Sequence, residues 1–441
     1  MNLVIIGAGP AGEAAAKTAR RLGPTNGEPL NITLIEKEEA GGLCLNKGCV
    51  PSKTLLEEVH KRAQAGLPIE WEGIQSFKNT VITGLRSQLE GSLKTAKVNV
   101  VRGTARFNWP SSVEIETPQG KQTLAFDKAI IATGTKSFFP PPLDQFKDYF
   151  WDSDRILNIT RTPKSLIVVG GGAVGCEFAC LMNAAGAKVS IIELKEGLLP
   201  GEDEAIATAL ARSFEDRGID IYTGARVVAA EKNSSGWQLA LSQGKILNAE
   251  EVLVCVGRVP LLDELNLDTA GVRVEKGRLV LDDRLQTTNP NIFAAGDAAT
   301  TRLAHAAAAQ AEIAATNALG GNERFDDRFV PRCLYSWPEV ASVGRWKYEF
   351  EQTGAPVKTV RAFFKGSAKA LAARESDGFV QIVMKPDTGK ILGAHIIGPH
   401  ATELIHIFSV AIKADMAVKD LGQVMFAHPT LSEVIRDATK K

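Results

Sequence analysis

Two copies of one glycine pattern constrain this chain more than anything else in it. "LVIIGAGPAGEAAAKTARRLG" places Gly7, Gly9 and Gly12 in G-x-G-x-x-G spacing, and "SLIVVGGGAVGCEFACLMNAAGAKVSIIELKE" repeats the spacing at Gly170, Gly172 and Gly175. Each triplet follows an apolar run and opens a helix-like stretch. Each is then followed by a second apolar run ending on an acid, Glu36 in one case and Glu193 in the other. Strand, tight turn, helix, strand and acid is the order of a dinucleotide-binding βαβ unit. The first glycine permits the turn, the second lets backbone approach a pyrophosphate, and the third lets helix and strand pack closely. The helix N-terminus offers unpaired N–H groups to the phosphates. The chain therefore reads as an α/β protein with two Rossmann-like nucleotide-binding domains.

The acids carry further information. Glu36 and Glu193 can accept hydrogen bonds from ribose hydroxyls. At Glu193 a carboxylate suits a free 2′-hydroxyl, whereas a 2′-phosphate calls for arginines, so NAD is preferred to NADP even with Lys195 nearby. Of two nucleotides, one can be a bound flavin (FAD) and the other a mobile nicotinamide. "AIIATGT" is a buried strand ending in a glycine turn at Thr133 and Gly134, and "TTNPNIFAAGDAA" is a strand ending at Gly296 and Asp297. Asp297 is placed either to bind a sugar-like chain or to cap a helix. Gly257 is counted with the second nucleotide set.

With 441 residues the chain is too long for one core, and two to four domains are expected. Lys plus Arg equals Asp plus Glu at 51 each, which suggests neither nucleic acid nor a membrane surface as partner. No run of apolar residues is long enough for a transmembrane helix, and "MNLVIIGAG" enters a strand without a signal peptide, so a cytoplasmic protein is expected. The cysteines number 6, too few for a disulfide framework. Cys176, Cys180, Cys255 and Cys333 read as small core residues. No cluster has metal-ligand spacing, and no metal is expected.

Cys44 and Cys49 differ from the rest. They lie in "GGLCLNKGCVPSK". In a regular helix residues five apart have Cα atoms roughly 8–9 Å apart, while a disulfide needs about 4.4–6.8 Å. The two can pair only if the backbone departs from a regular helix there. Otherwise they are two structural thiols.

Taken in order, the first glycine motif, GGLCLNKGCVPSK, ATG at Ala132 to Gly134, the second glycine motif, AAGDAA and AHPTLSE resemble the pyridine nucleotide–disulfide oxidoreductases. This is the flavoprotein family of dihydrolipoamide dehydrogenase and glutathione reductase, and the resemblance covers essentially the whole chain. It implies an FAD-binding domain over 1–140 and 263–326, an NAD-binding domain over 141–262, and a C-terminal α+β dimerisation domain over 327–441. It further implies that Cys44 and Cys49 form a redox-active disulfide, Cys44 as interchange thiol and Cys49 beside the flavin. Lys53 is implied near the flavin's reactive nitrogen, paired with Glu177, and His305 near the flavin. His428, oriented by Glu433, is implied as the base that reaches the partner's disulfide across a homodimer. His395, His400 and His406 are expected to pack or to lie at an interface, and His60 has no context.

The branch most resembled is dihydrolipoamide dehydrogenase, which implies small-molecule or protein-bound dithiol substrates, lipoyl groups first, oxidised with NAD⁺. Two departures are visible: Leu43 stands where the family usually has threonine, and Phe426 where many dihydrolipoamide dehydrogenases have a second histidine. The alternatives are a reductase of another small disulfide or electrophile, or a non-catalytic flavin-binding redox sensor. Glutathione reductase is disfavoured by Ser52 and Glu193, mercuric reductase by the ending "IRDATKK" with no cysteine pair. A sensor would not need Cys44, Cys49, Lys53, His428 and Glu433 together.

Overall fold

The computed structural model describes residues 1–23, 27, 29–234, 236–300 and 303–441. They fall into two compact units, the first made of Met1–Leu55, Glu70–Phe138 and Gly257–Phe325, the second of Leu56–Ile69, Phe139–Val256 and Asp326–Lys441. Among the described residues no helix is long and apolar enough to cross a membrane.

The first unit is built on a five-stranded parallel sheet, in the order Ile292–Ala294, Lys128–Ile131, Asn2–Ile6, Asn31–Glu36, Asn99–Arg102. A parallel sheet is covered on both faces, so its strands read as unbroken apolar runs. Along Asn2–Ile6 the period of two sends Leu3 and Ile5 to one face, with Leu34, Ile130 and Phe293. Val4 and Ile6 go to the other, with Ile35, Phe107 and Ile115. The first face is covered by the helices Pro10–Leu22 and Ala304–Ala318, whose alanines (Ala11, Ala15 and Ala19; Ala307, Ala311 and Ala314) let the helices pack closely. Truncating a fully buried member such as Ile5 to alanine costs about 2–5 kcal/mol.

The second unit contains a parallel sheet of the order Asp220–Tyr222, Lys188–Ile192, Ser165–Val169, Glu251–Val254, with the helix Ala173–Ala184 following its central strand. It also contains a five-stranded antiparallel sheet in the order Arg332–Leu334, Glu339–Gly344, Ile391–Gly398, Phe379–Met384, Lys358–Phe363. On one face Ala341, Val343, Val380, Ile382, Ala394 and Ile396 pack against Ile405 and Phe408 of the helix Ala401–Lys413 and Val434 and Ile435 of the helix Glu433–Ala438. The alternate residues Ser342, Gln381 and His395 point to the opposite face, and all three are buried.

Candidate active site

The two glycine loops obey the same steric rule. Gly7 has φ +105°, and a Cβ there would fall 2.3 Å from the carbonyl oxygen of Ala132; a Cβ on Gly12 would fall 1.8 Å from that of Gly7. Gly170 has φ +113° and meets the Cys255 carbonyl at 2.4 Å, and Gly175 meets that of Gly170 at 1.9 Å. Any side chain would push loop, strand and helix apart. The helices that follow, Pro10–Leu22 and Ala173–Ala184, start at Gly9 and Gly172 without a side-chain cap. Their first N–H groups are thus left for an anion.

The two terminal glutamates sit alike. Glu36 accepts the N–H of Ala8 at 2.7 Å and that of Glu38 at 2.8 Å, one on each oxygen. Glu193 accepts those of Gly171 at 2.7 Å and Lys195 at 2.8 Å. Each carboxylate ties the glycine loop to the end of the second strand, and each oxygen keeps a lone pair for a ribose hydroxyl. Glycine cradle, uncapped helix and carboxylate together fit the phosphates and ribose of a dinucleotide in both places.

Thr133 and Gly134 follow the strand Lys128–Ile131; Thr133 donates to the Leu261 carbonyl at 2.9 Å, and Gly134 has φ +73°. Asp297 lies inside the short 3-10 turn Gly296–Ala298, not at a helix N-cap, and accepts from the Thr135 hydroxyl at 3.3 Å. Thr135 is itself held by Arg258 at 2.9 Å. The Gly296 N–H is held at 2.9 Å by Gln310, a fully buried glutamine of the helix Ala304–Ala318. Its sequence signal was slight: one polar residue in an alanine run. His305 is exposed in the first turn of that helix. Gly257 falls in the first unit, and its carbonyl accepts the N–H of Phe138 at 3.1 Å.

Cys44 lies in the short helix Gly42–Lys47, and Cys49 opens the helix Cys49–Gln64. Gly48 between them has φ −143° and ψ −113°, which is not helical. The backbone thus makes the departure that pairing would require. Cys44 is half-buried and Cys49 exposed. The neighbouring Cys49 side chain, then burial, hold the Cys44 thiol well above the ordinary range. Cys49 stands at the N-terminus of its helix, where the helix dipole favours a thiolate, and Lys53 follows one turn later. The short helix is pinned by Asn46, whose amide donates to the Ala40 and Gly42 carbonyls at 3.0 Å and accepts from Arg86 at 2.7 Å. Neither Asn46 nor Arg86 stands out in the sequence.

In the second unit Glu177 is buried on the helix Ala173–Ala184 and accepts the N–H of Tyr335 at 3.1 Å. Two residues on, the Trp337 N–H points at Cys180 Sγ at 3.4 Å, and the Trp337 ring stacks on His60 at 4.0 Å. His60 thereby gains the context the sequence withheld. Cys176 and Cys180 are core residues as expected, whereas Cys255 and Cys333 are only half-buried because each sits at a strand end or edge.

His428 Nδ1 lies 3.0 Å from Glu433 Oε1 and 3.2 Å from Oε2, with 73% of its side chain exposed. Glu433 also accepts the N–H of Thr430 at 3.0 Å. That bond first, and His428 second, hold the Glu433 carboxyl below its usual range. With Nδ1 occupied by a carboxylate, the outward Nε2 is the nitrogen that can accept a proton. Phe426 packs on the core of the C-terminal sheet.

Residues 1–312 match the family described as pyridine nucleotide-disulphide oxidoreductase, and 330–439 its dimerisation domain. A dihydrolipoyl dehydrogenase of Bacillus subtilis is 35% identical, over 99% of this chain and 98% of its own length. One from Chlamydia pneumoniae is 36% identical over 98% and 95%. Among solved structures, LpdA of Mycobacterium tuberculosis superimposes with a TM-score of 0.92 at 27% identity, covering 100% of this chain and 99% of that one. The HOCl-induced flavoprotein disulfide reductase RclA of Escherichia coli gives 0.90 at 28% identity, covering 100% and 99%.

Proposed function

The chain belongs to the pyridine nucleotide-disulphide oxidoreductase family, FAD- and NAD-using enzymes that act on sulfur groups, and we propose that it is a dihydrolipoyl dehydrogenase. The observation that carries this reading is the helix break at Gly48, the departure from a regular helix that pairing of Cys44 with Cys49 requires. The full-length similarity to proteins of that name supports the substrate class.

In this reading Cys44 and Cys49 begin as a disulfide. His428, its Nδ1 held by Glu433, takes a proton on Nε2 from one thiol of a dihydrolipoyl group; in the homodimer it serves the partner's cysteine pair. The substrate thiolate attacks Cys44 Sγ, and the Cys44–Cys49 bond breaks. Cys49 leaves as a thiolate, stabilised by its helix N-terminus and by Lys53. The second substrate thiol then attacks the substrate sulfur bound to Cys44 and closes the lipoyl ring, its proton passing to the Cys44 sulfur it displaces. Two electrons have passed to the cysteine pair, and two protons have left the substrate. FAD, when bound at the first glycine loop with Glu36, Thr133, Gly134, Gly296, Asp297 and His305, supplies the two-electron relay to NAD⁺. Gly170, Gly172, Gly175 and Glu193 would hold the NAD⁺, and Lys53 and Glu177 would each supply a charge toward the flavin. Domains of 1–140 with 263–326, 141–262 and 327–441 serve flavin, dinucleotide and dimer.

A second reading is the reduction of another small disulfide or electrophile. Phe426 in place of a histidine favours it, as does the likeness to RclA. Reductive titration tests the shared core of both. Flavin-loaded wild-type protein takes up one electron pair more per subunit than Cys44→Ser or Cys49→Ser. Equal uptake by all three rejects a redox-active pair.

A further inference from the structure

Five polar side chains cross the C-terminal sheet in one register. Arg332 pairs with Ser342, Ser342 with His395, His395 with Gln381, and Gln381 with Arg361. Register partners share a face of a sheet, so the row points to one side, away from the helices. Burying polar groups costs free energy unless they bond to something. Ser342 and Gln381 find their partners in the segment that follows Glu193. Ser342 Oγ donates to Glu202 Oε1 at 2.9 Å, and Trp346 Nε1 donates to Oε2 at 3.2 Å. His395 Nδ1 stands 3.9 Å from the same Oε2. One step along, Gln381 Nε2 donates to Asp203 at 2.9 Å.

Glu202 ends a tight turn. Its N–H bonds to the Leu199 carbonyl at 2.9 Å, and the Leu199 N–H bonds to the Gly171 carbonyl at 2.8 Å. Leu199 has φ +49°, a left-handed conformation that costs a leucine about 1 kcal/mol or more and persists only where the surroundings impose it. Leu198 closes over Gly171 so tightly that a Cβ there would fall 2.7 Å from Leu198 Cδ2. Gly171 is thus gripped at both ends of its backbone, its N–H by Glu193 and its carbonyl by this turn.

We propose that Glu202 is a positioning residue for the nicotinamide dinucleotide, and that the C-terminal sheet, through Ser342 and Trp346, sets how tightly the second glycine loop binds it. The inference rests on the dinucleotide reading of that loop. Ser342→Ala and Trp346→Phe each remove one bond to Glu202, and Glu202→Ala removes both. Gln381→Ala is the control, since it loosens Asp203 in the same row and leaves the turn alone.

The readouts are the dissociation constant for NAD⁺ by calorimetry on flavin-loaded protein, KM against kcat for NAD⁺, and the melting temperature. Ser342→Ala and Trp346→Phe should each weaken NAD⁺ binding about three- to tenfold, the equivalent of one lost hydrogen bond. KM should rise in step, with kcat at saturation and flavin content unchanged, and Gln381→Ala should lower the melting temperature without moving either constant. Unchanged NAD⁺ binding in the folded Ser342 and Trp346 variants overturns the proposal, as does equal weakening in Gln381→Ala, which would mean general loosening. Wild-type protein that fails to bind NAD⁺ at all overturns the dinucleotide reading itself and this inference with it.

Discussion

Glu433 grips Nδ1 of His428 at 3.0 Å while its other oxygen takes the N–H of Thr430. The carboxylate is fixed by backbone before it meets the imidazole, so the ring is held with Nε2 outward. A base so placed contributes about 10²–10⁴-fold to a proton-transfer step. His428→Ala should lower kcat/KM for dithiol oxidation by that factor, and Glu433→Gln by less. NADH-driven reduction of the flavin-loaded protein needs no such base and should keep its rate. Equal loss in both half-reactions, followed by stopped flow, would remove His428 from the base role.

The glycine loops predict a split between two nucleotides. A methyl at Gly12 would sit 1.8 Å from a carbonyl oxygen, and one at Gly175 would sit 1.9 Å from another. Gly12→Ala should be purified with little flavin. Gly175→Ala should keep its flavin and lose NADH binding. Flavin absorbance per protein and an NADH titration check both. A Gly175→Ala protein that loses flavin while Gly12→Ala retains it would reverse the assignment of the loops.

Stability should fall in alkali for an identifiable reason. Burial pushes the Cys180 thiol up to about 12. Between the ordinary thiol range and that value the unfolded chain is a thiolate and the folded one a thiol. The unfolded state then binds fewer protons, so stability drops as pH rises, by up to about 1.4 kcal/mol per pH unit. Below the ordinary range the group contributes nothing to the slope. Cys176, also fully buried, acts in the same direction. Melting temperatures from pH 8 to 11 should fall less steeply for Cys180→Ala than for wild type. Parallel curves would mean that this thiol is not held neutral.

What could be read from the sequence and what could not divide along a physical line. Gly7, Gly12, Gly170 and Gly175 are legible because backbone approaches backbone there and no other residue fits. Cys44 and Cys49 stand out as a pair only through the family resemblance, since their spacing alone left two structural thiols open; the structure breaks the helix between them at Gly48. His428 and Glu433 enter through the same resemblance, and the structure brings the two side chains to 3.0 Å. The supports are another matter. Asn46 with Arg86, Gly296 with Gln310, His60 with Trp337, and Glu202 with Ser342 and Trp346 join common residue types far apart in the chain. No spacing or periodicity encodes them, because each depends on where the sheets carry the two partners. The grouping of Leu56–Ile69 with the second unit is of the same kind, since nothing in its composition marks it off.

The most direct test is NADH formation from dihydrolipoamide and NAD⁺ by the purified, flavin-loaded protein. Turnover of about 1 s⁻¹ or faster is expected, with much slower use of NADP⁺ and loss of activity in Cys44→Ser and Cys49→Ser. No NADH formation, in a protein whose cysteine pair NADH still reduces, would contradict the lipoyl substrate and leave the reduction of another disulfide in its place.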